Sequence, residues 1–131
     1  MDKICLDTDF LVDFLRGKEA ALSFVSKVED SVILATTYVN LYELYVGAFK
    51  SENPAREITN FEALKNRLLL LNLSGESVKL AGKVRVELMK KGDIIEIRDL
   101  LIGTIAVANG FPVKTNNLKH FTKIPGLNIF A

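Results

Sequence analysis

The chain has 131 residues, 49% apolar and 25% charged, a balance that fits one globular domain over 1–131 with a real core. Its 17 Lys+Arg against 16 Asp+Glu leave a net charge of +1, which excludes the strongly basic profile of a non-specific DNA binder but not a local basic rim. Apolar runs too short to span a bilayer, no secretory pattern, no Cys/His cluster and a single cysteine in an apolar run predict a cytoplasmic chain without membrane contact or zinc, with Cys5 packed in the core.

In chain order, residues 3–7 read as a strand, and Phe10 to Arg16 as a short helix stopped by Gly17. Ala21, Phe24, Val25 and Val28 recur at helical spacing. "SVILAT" (31–36) is a strand, and Thr37 is placed to cap the helix "YVNLYELYVGAF". Pro54 opens a helix running to about Arg67. "LLLLNL" (68–73) is a buried strand by length and flanks. "ESVKLAGKVRVELMKKG" is a helix with a stripe of Val78, Ala81, Val84 or Arg85, and Leu88, ended by Gly92. "RDLLIGTIAVANG" is a helix apolar almost all round, "FPVKT" a short strand, and "LNIF" another after the Pro125-Gly126 turn. Strands alternating with helices imply a mainly parallel sheet with helices on both faces, and such sheets bind ligands beyond the carboxyl ends of their strands.

Three acids stand out against this frame. Asp7 follows the first strand directly, in "ICLDTDFLVDFL". An unpaired buried carboxylate is costly, so Asp7 is exposed, paired or bound to a metal, or else Asp7 or Asp9 caps the next helix. Glu43 sits in an otherwise apolar helix whose polar positions are few besides Asn40 and itself, so it lies on a solvent stripe or faces a polar cleft. Asp99 opens the most apolar helix, where it is either a first-turn cap or a buried site acid, with Gly103 one turn on leaving room around it. Asp93 and Glu96 read as solvated loop charges. Thr115, Asn116 and Asn117 follow a strand, as a turn or on the crevice side, and His120 reads as a packing or loop-anchoring residue rather than a general base.

Four stretches in order, "LDTDFLVDFLRG", "TTYVNLYELYVGA", "RDLLIGTIAVANG" and "VKTNNLKHFTKIPGLNIF", resemble the PIN-domain family, in particular its VapC-like toxin branch. The resemblance covers nearly the whole chain. It implies a three-layer α/β/α fold with a small, mostly parallel central sheet, and acids that bind Mg2+ or Mn2+ and cleave RNA phosphodiesters. Carried over by motif, the catalytic set is Asp7, Glu43, Asp99 and Asn117, with Asp7, Glu43 and Asp99 as metal ligands. Thr115, Asn117, His120 and Phe121 match the Thr-x-Asn-x-x-His-Phe form of toxin-like members. Asn117 offers a neutral oxygen where other members carry a charge, making it a weaker or outer ligand. The resemblance also implies an RNA substrate, a homodimer and a small antitoxin partner.

Two rival readings use the same residues. "ICLDTD" and "GDIIEIRD" imitate motifs of haloacid-dehalogenase-like phosphatases, with Asp7 as nucleophile and Asp9 as general acid. Against this, the Gly-Asp pair stops a helix here, and the chain is short for that fold. The other rival is a non-catalytic PIN-like interaction module, weakened at its fourth position.

Overall fold

The computed structural model describes residues 2–130. Its elements run β1 (Asp2–Leu6), α1 (Thr8–Leu15), α2 (Glu19–Val28), β2 (Val32–Thr37), α3 (Tyr38–Lys50), α4 (Pro54–Lys65), β3 (Leu69–Leu71), α5 (Gly75–Lys90), α6 (Ile97–Asn109), β4 (Val113–Lys114) and α7 (Leu118–Phe121). The sheet order is β3-β2-β1-β4, all parallel. Register pairs Ile4 with Leu34 and Cys5 with both Ala35 and Val113. Parallel pairing forces each connection to cross over the sheet, so helices cover both faces in three α/β/α layers.

Alternation along the strands sorts the core. Ile4, Leu6 and Leu34 pack with Phe10 and Leu11 of α1, Val25 of α2, Leu41 and Leu44 of α3, and Phe61 and Leu64 of α4. Cys5 and Ala35 point to the other face, against Ile105 and Ala106 of α6. A further cluster joins Ala81, Val84 and Leu88 of α5 to Leu100, Ile102, Phe121 and Ile124. Cys5 is buried, and desolvation first, with the Asp7 charge second, pushes its thiol far above the ordinary range, which makes it an inert packing group.

Local signals explain the boundaries. Thr37 and Asn40 form a reciprocal capping box at the start of α3, and Ser74 and Ser77 form another at α5. Asn53 accepts from the Arg56 N–H with Pro54 in the first turn of α4, and Gly110 ends α6 in the left-handed conformation. Some expectations need correction. "LNIF" makes only an isolated bridge, Ile129 to Val113, because the two-residue β4 offers little edge to pair with. The run 68–73 pairs over Leu69–Leu71 alone, at the edge of the sheet. The buried stripe of α5 starts at Ser77, turned inward by its cap bonds, and Val78 is exposed. The short helix α7 follows the Asn116-Asn117 pair, in a stretch given no element from the sequence.

Gly103 does not make room for the acid. A Cβ there would collide with the buried side chain of Ile124. Gly103→Ala is expected to cost about 1–2 kcal/mol, since overpacking outweighs the better helix propensity of alanine. A lower urea midpoint checks this, and an unchanged midpoint would mean that Ile124 repacks freely.

Candidate active site

Topology gathers the carboxyl ends of β1, β2 and β4 at one edge of the sheet. The α6 helix leads back to the start of β4, so its first turn faces the same edge. Asp7 leaves β1 there, with its backbone N–H donating to the Lys114 carbonyl at 3.0 Å. The Asp7 side chain is buried. Its Oδ1 accepts from Asn40 Nδ2 at 2.9 Å and its Oδ2 from the Thr115 hydroxyl at 2.7 Å. It makes no side-chain cap bond to α1, so capping does not explain its place. Burial pushes its pKa up to about 6. Hydrogen bonds from Thr115 and the Thr8 backbone pull the other way, and the charges of Asp9 and Asp99 push it further up.

Glu43, in the second turn of α3, is half-buried. The Thr8 hydroxyl donates to its Oε1 at 2.7 Å, and the Arg98 guanidinium lies 3.4 Å from its Oε2. Asp99, in the first turn of α6, is buried, and its Oδ2 accepts from Asn117 Nδ2 at 3.2 Å and meets His120 Nδ1 at 2.5 Å. A carboxylate only accepts, so that ring nitrogen carries a proton. The Asn117 N–H donates to Thr115 Oγ1 at 2.9 Å.

These contacts form one continuous hydrogen-bonded chain: Glu43, Thr8, Asn40, Asp7, Thr115, Asn117, Asp99, His120. It brings together all four residues singled out from the sequence. Beside it, Asn116 bonds Asp9 through its N–H at 3.0 Å and Asp13 through its amide at 3.3 Å, tying the 115–117 turn to α1. Burial raises the pKa of Asp9, partly offset by the Asn116 bond, and its Oδ1 is buried without a partner. Asp93 and Glu96 make surface ion pairs with Lys123 and Arg98.

Asn40 and Arg98 escaped selection from the sequence. Asn40 carried a signal, one turn before Glu43 on the same helical face. Arg98 carried none, since a basic residue beside Asp99 reads the same whether solvated or turned toward Glu43. His120 contacts the carboxylate of Asp99, which ties α7 to the first turn of α6.

The donor set suits a hard divalent cation. Every candidate ligand offers oxygen, and burial first, with the charges of Asp9 and Asp99 adding to it, raises the pKa of Asp7. No three His, Cys, Asp or Glu among the described residues are grouped so as to hold a metal ion.

A family model described as PIN domain matches residues 4–127. The chain belongs to the PIN-domain family. This PIN domain is 31% identical over 129 residues to the tRNA(fMet)-specific endonuclease VapC of Salmonella typhimurium, covering 98% of this chain and 97% of that protein. It is 30% identical over 128 residues to ribonuclease VapC2 of Haemophilus influenzae, covering 97% and 96%. The crystal structure of VapBC2 from Rickettsia felis, bound to a DNA fragment from their promoter, matches with a TM-score of 0.91 at 27% identity, covering 98% of this chain and 97% of that one. These relatives place the PIN domain in the VapC-like ribonuclease branch. The phosphatase reading falls with the family and with Asp93, which ends in a surface pair with Lys123.

Proposed function

We propose that this PIN domain is a Mg2+- or Mn2+-dependent ribonuclease and the toxin of a toxin-antitoxin pair. The observation that carries the reading is the chain of hydrogen bonds joining Glu43, Asp7, Asn117 and Asp99 at the carboxyl edge of the sheet. Asp7, Glu43 and Asp99 would hold the metal, with Asn117 as a neutral outer partner. Bound there, the ion would polarise the scissile phosphate and lower the pKa of an attacking water. The residues supply the rest. Thr115 and Asn40 aim the Asp7 carboxylate. Asn117 and His120 orient Asp99, and Arg98, exposed beside Glu43, is placed to meet an RNA phosphate.

The same relatives support the partners. The Rickettsia felis structure is of VapBC2 on promoter DNA, and Tyr38, Tyr42 and Phe49 of α3 are exposed here, so α3 offers apolar surface for a homodimer or an antitoxin. Light scattering at micromolar concentration is expected to give a dimer, and a monomer counts against it. No helix among the described residues is long and apolar enough to cross a membrane.

Purified protein tests the activity on initiator tRNA, chosen from the name of the Salmonella relative, alongside ribosomal and messenger RNA. Cleavage of at least one RNA is expected with Mg2+ or Mn2+, and none with EDTA. Metal uptake without cleavage of any RNA would favour the interaction module.

A further inference from the structure

The Asn40 side chain is fully buried and uses each of its polar atoms. Its Oδ1 accepts from the Thr37 backbone N–H at 3.1 Å and the Thr37 hydroxyl at 2.7 Å. Its Nδ2 donates to Asp7 Oδ1 and to Thr8 Oγ1, both at 2.9 Å. Proton counting fixes the direction of every bond. The Thr37 backbone N–H can only donate, which sets the amide with oxygen toward Thr37 and nitrogen toward Asp7. A flipped amide would aim an oxygen at the Asp7 carboxylate. The Thr8 oxygen accepts from Asn40, so the single Thr8 proton is free for Glu43 Oε1 at 2.7 Å. One amide therefore serves two acids on different elements: Asp7 directly and Glu43 through one hydroxyl. Each acid receives a donor on one oxygen from this relay.

We propose that Asn40 is a positioning residue that sets the spacing and orientation of Asp7 and Glu43 for a divalent cation, acting on Glu43 through Thr8. The inference rests on the metal-dependent nuclease reading and adds a residue to it. Asn40 also belongs to the α3 capping box, a structural role that alone would leave cation binding unmoved in a folded variant. Thr8 separates the two roles, because Thr8→Val breaks the arm to Glu43 while the capping box and the bond to Asp7 stay intact.

The test is Mn2+ binding by calorimetry, with urea stability alongside. Partners that orient metal ligands are worth about 10–100-fold in affinity. Asn40→Leu and Thr8→Val are expected to raise the Mn2+ dissociation constant within that range. Thr8→Ser, which keeps the hydroxyl, should recover most of the affinity. Ser74→Ala opens the capping box of α5 instead, and should lose stability with Mn2+ affinity unchanged. If Asn40→Leu does not fold, Thr8→Val decides. Affinity within about threefold of wild type in Thr8→Val, or no recovery in Thr8→Ser, overturns the positioning role while the parent reading stands. A wild-type protein that takes up no Mn2+ overturns both.

Discussion

Asp7→Asn is expected to abolish RNA cleavage and, without metal, to stabilise the fold. Cleavage falls because a principal anionic ligand becomes neutral. Even the partners that only orient ligands are worth about 10–100-fold, so the loss in kcat/KM should be at least on the order of a hundredfold. Stability rises because burial and the neighbouring acids hold Asp7 at about 6 instead of its ordinary 3.8. Keeping it ionised at neutral pH costs on the order of 3 kcal/mol. Asparagine removes that cost but turns an amide N–H toward Thr115, which must reverse its hydroxyl, so a net gain of about 1–3 kcal/mol is expected in EDTA. Saturating Mn2+ stabilises the wild type, by roughly 2.7 kcal/mol at a hundred times the dissociation constant, and should do little for the mutant. A helix-cap role for Asp7 gives the opposite pattern, because asparagine caps about as well as aspartate and activity would survive. Melting temperature and cleavage, each with and without metal, separate the two.

The second large effect is the pH dependence of the metal-free protein. A carboxyl whose pKa is higher in the folded chain binds more protons there, so stability falls as pH rises. Asp7 therefore contributes stability that is full below about 4 and lost as pH climbs through about 6. Asp9 is shifted in the same direction by burial, and works with the same sign. Urea midpoints in EDTA are expected to decline between about pH 4 and 7, by up to roughly 3 kcal/mol from Asp7. With saturating Mn2+, which favours the ionised carboxylate, the decline should flatten or reverse. In Asp7→Asn most of the decline should vanish. A wild-type midpoint that climbs through this window in EDTA would mean that paired surface acids dominate and that Asp7 is not the strained group.

The sheet and the acids differ in how far they can be read from residues alone. Apolar runs bounded by turn residues placed β1 and β2 well, because buried parallel strands need nothing else. They overextended the edge: β3 and the "LNIF" segment each have a single neighbour, so pairing and not hydrophobicity sets their length. Asp7 and Asp99 were legible because a charge next to a deeply apolar element demands a reason. Glu43 was ambiguous on its own helix and is resolved only by Thr8 and Arg98, which come from other elements. The Asn40 signal was ambiguous because a polar residue one turn before a glutamate can be solvated equally well, and only the fold brings Asp7, at the end of β1, to its amide. Gly103 was assigned to the wrong neighbour, since nothing local announces that Ile124 packs against it.

The most direct test of the central claim is a crystal of the protein grown with Mn2+, with anomalous scattering used to place the ion. The expected result is an anomalous peak at the carboxyl edge of the sheet with oxygens of Asp7, Glu43 and Asp99 among its ligands. A peak held instead by Asp9 and Asp13, or no peak at this edge in a protein that still cleaves RNA, would contradict the assignment of Asp7, Glu43 and Asp99 as the metal site.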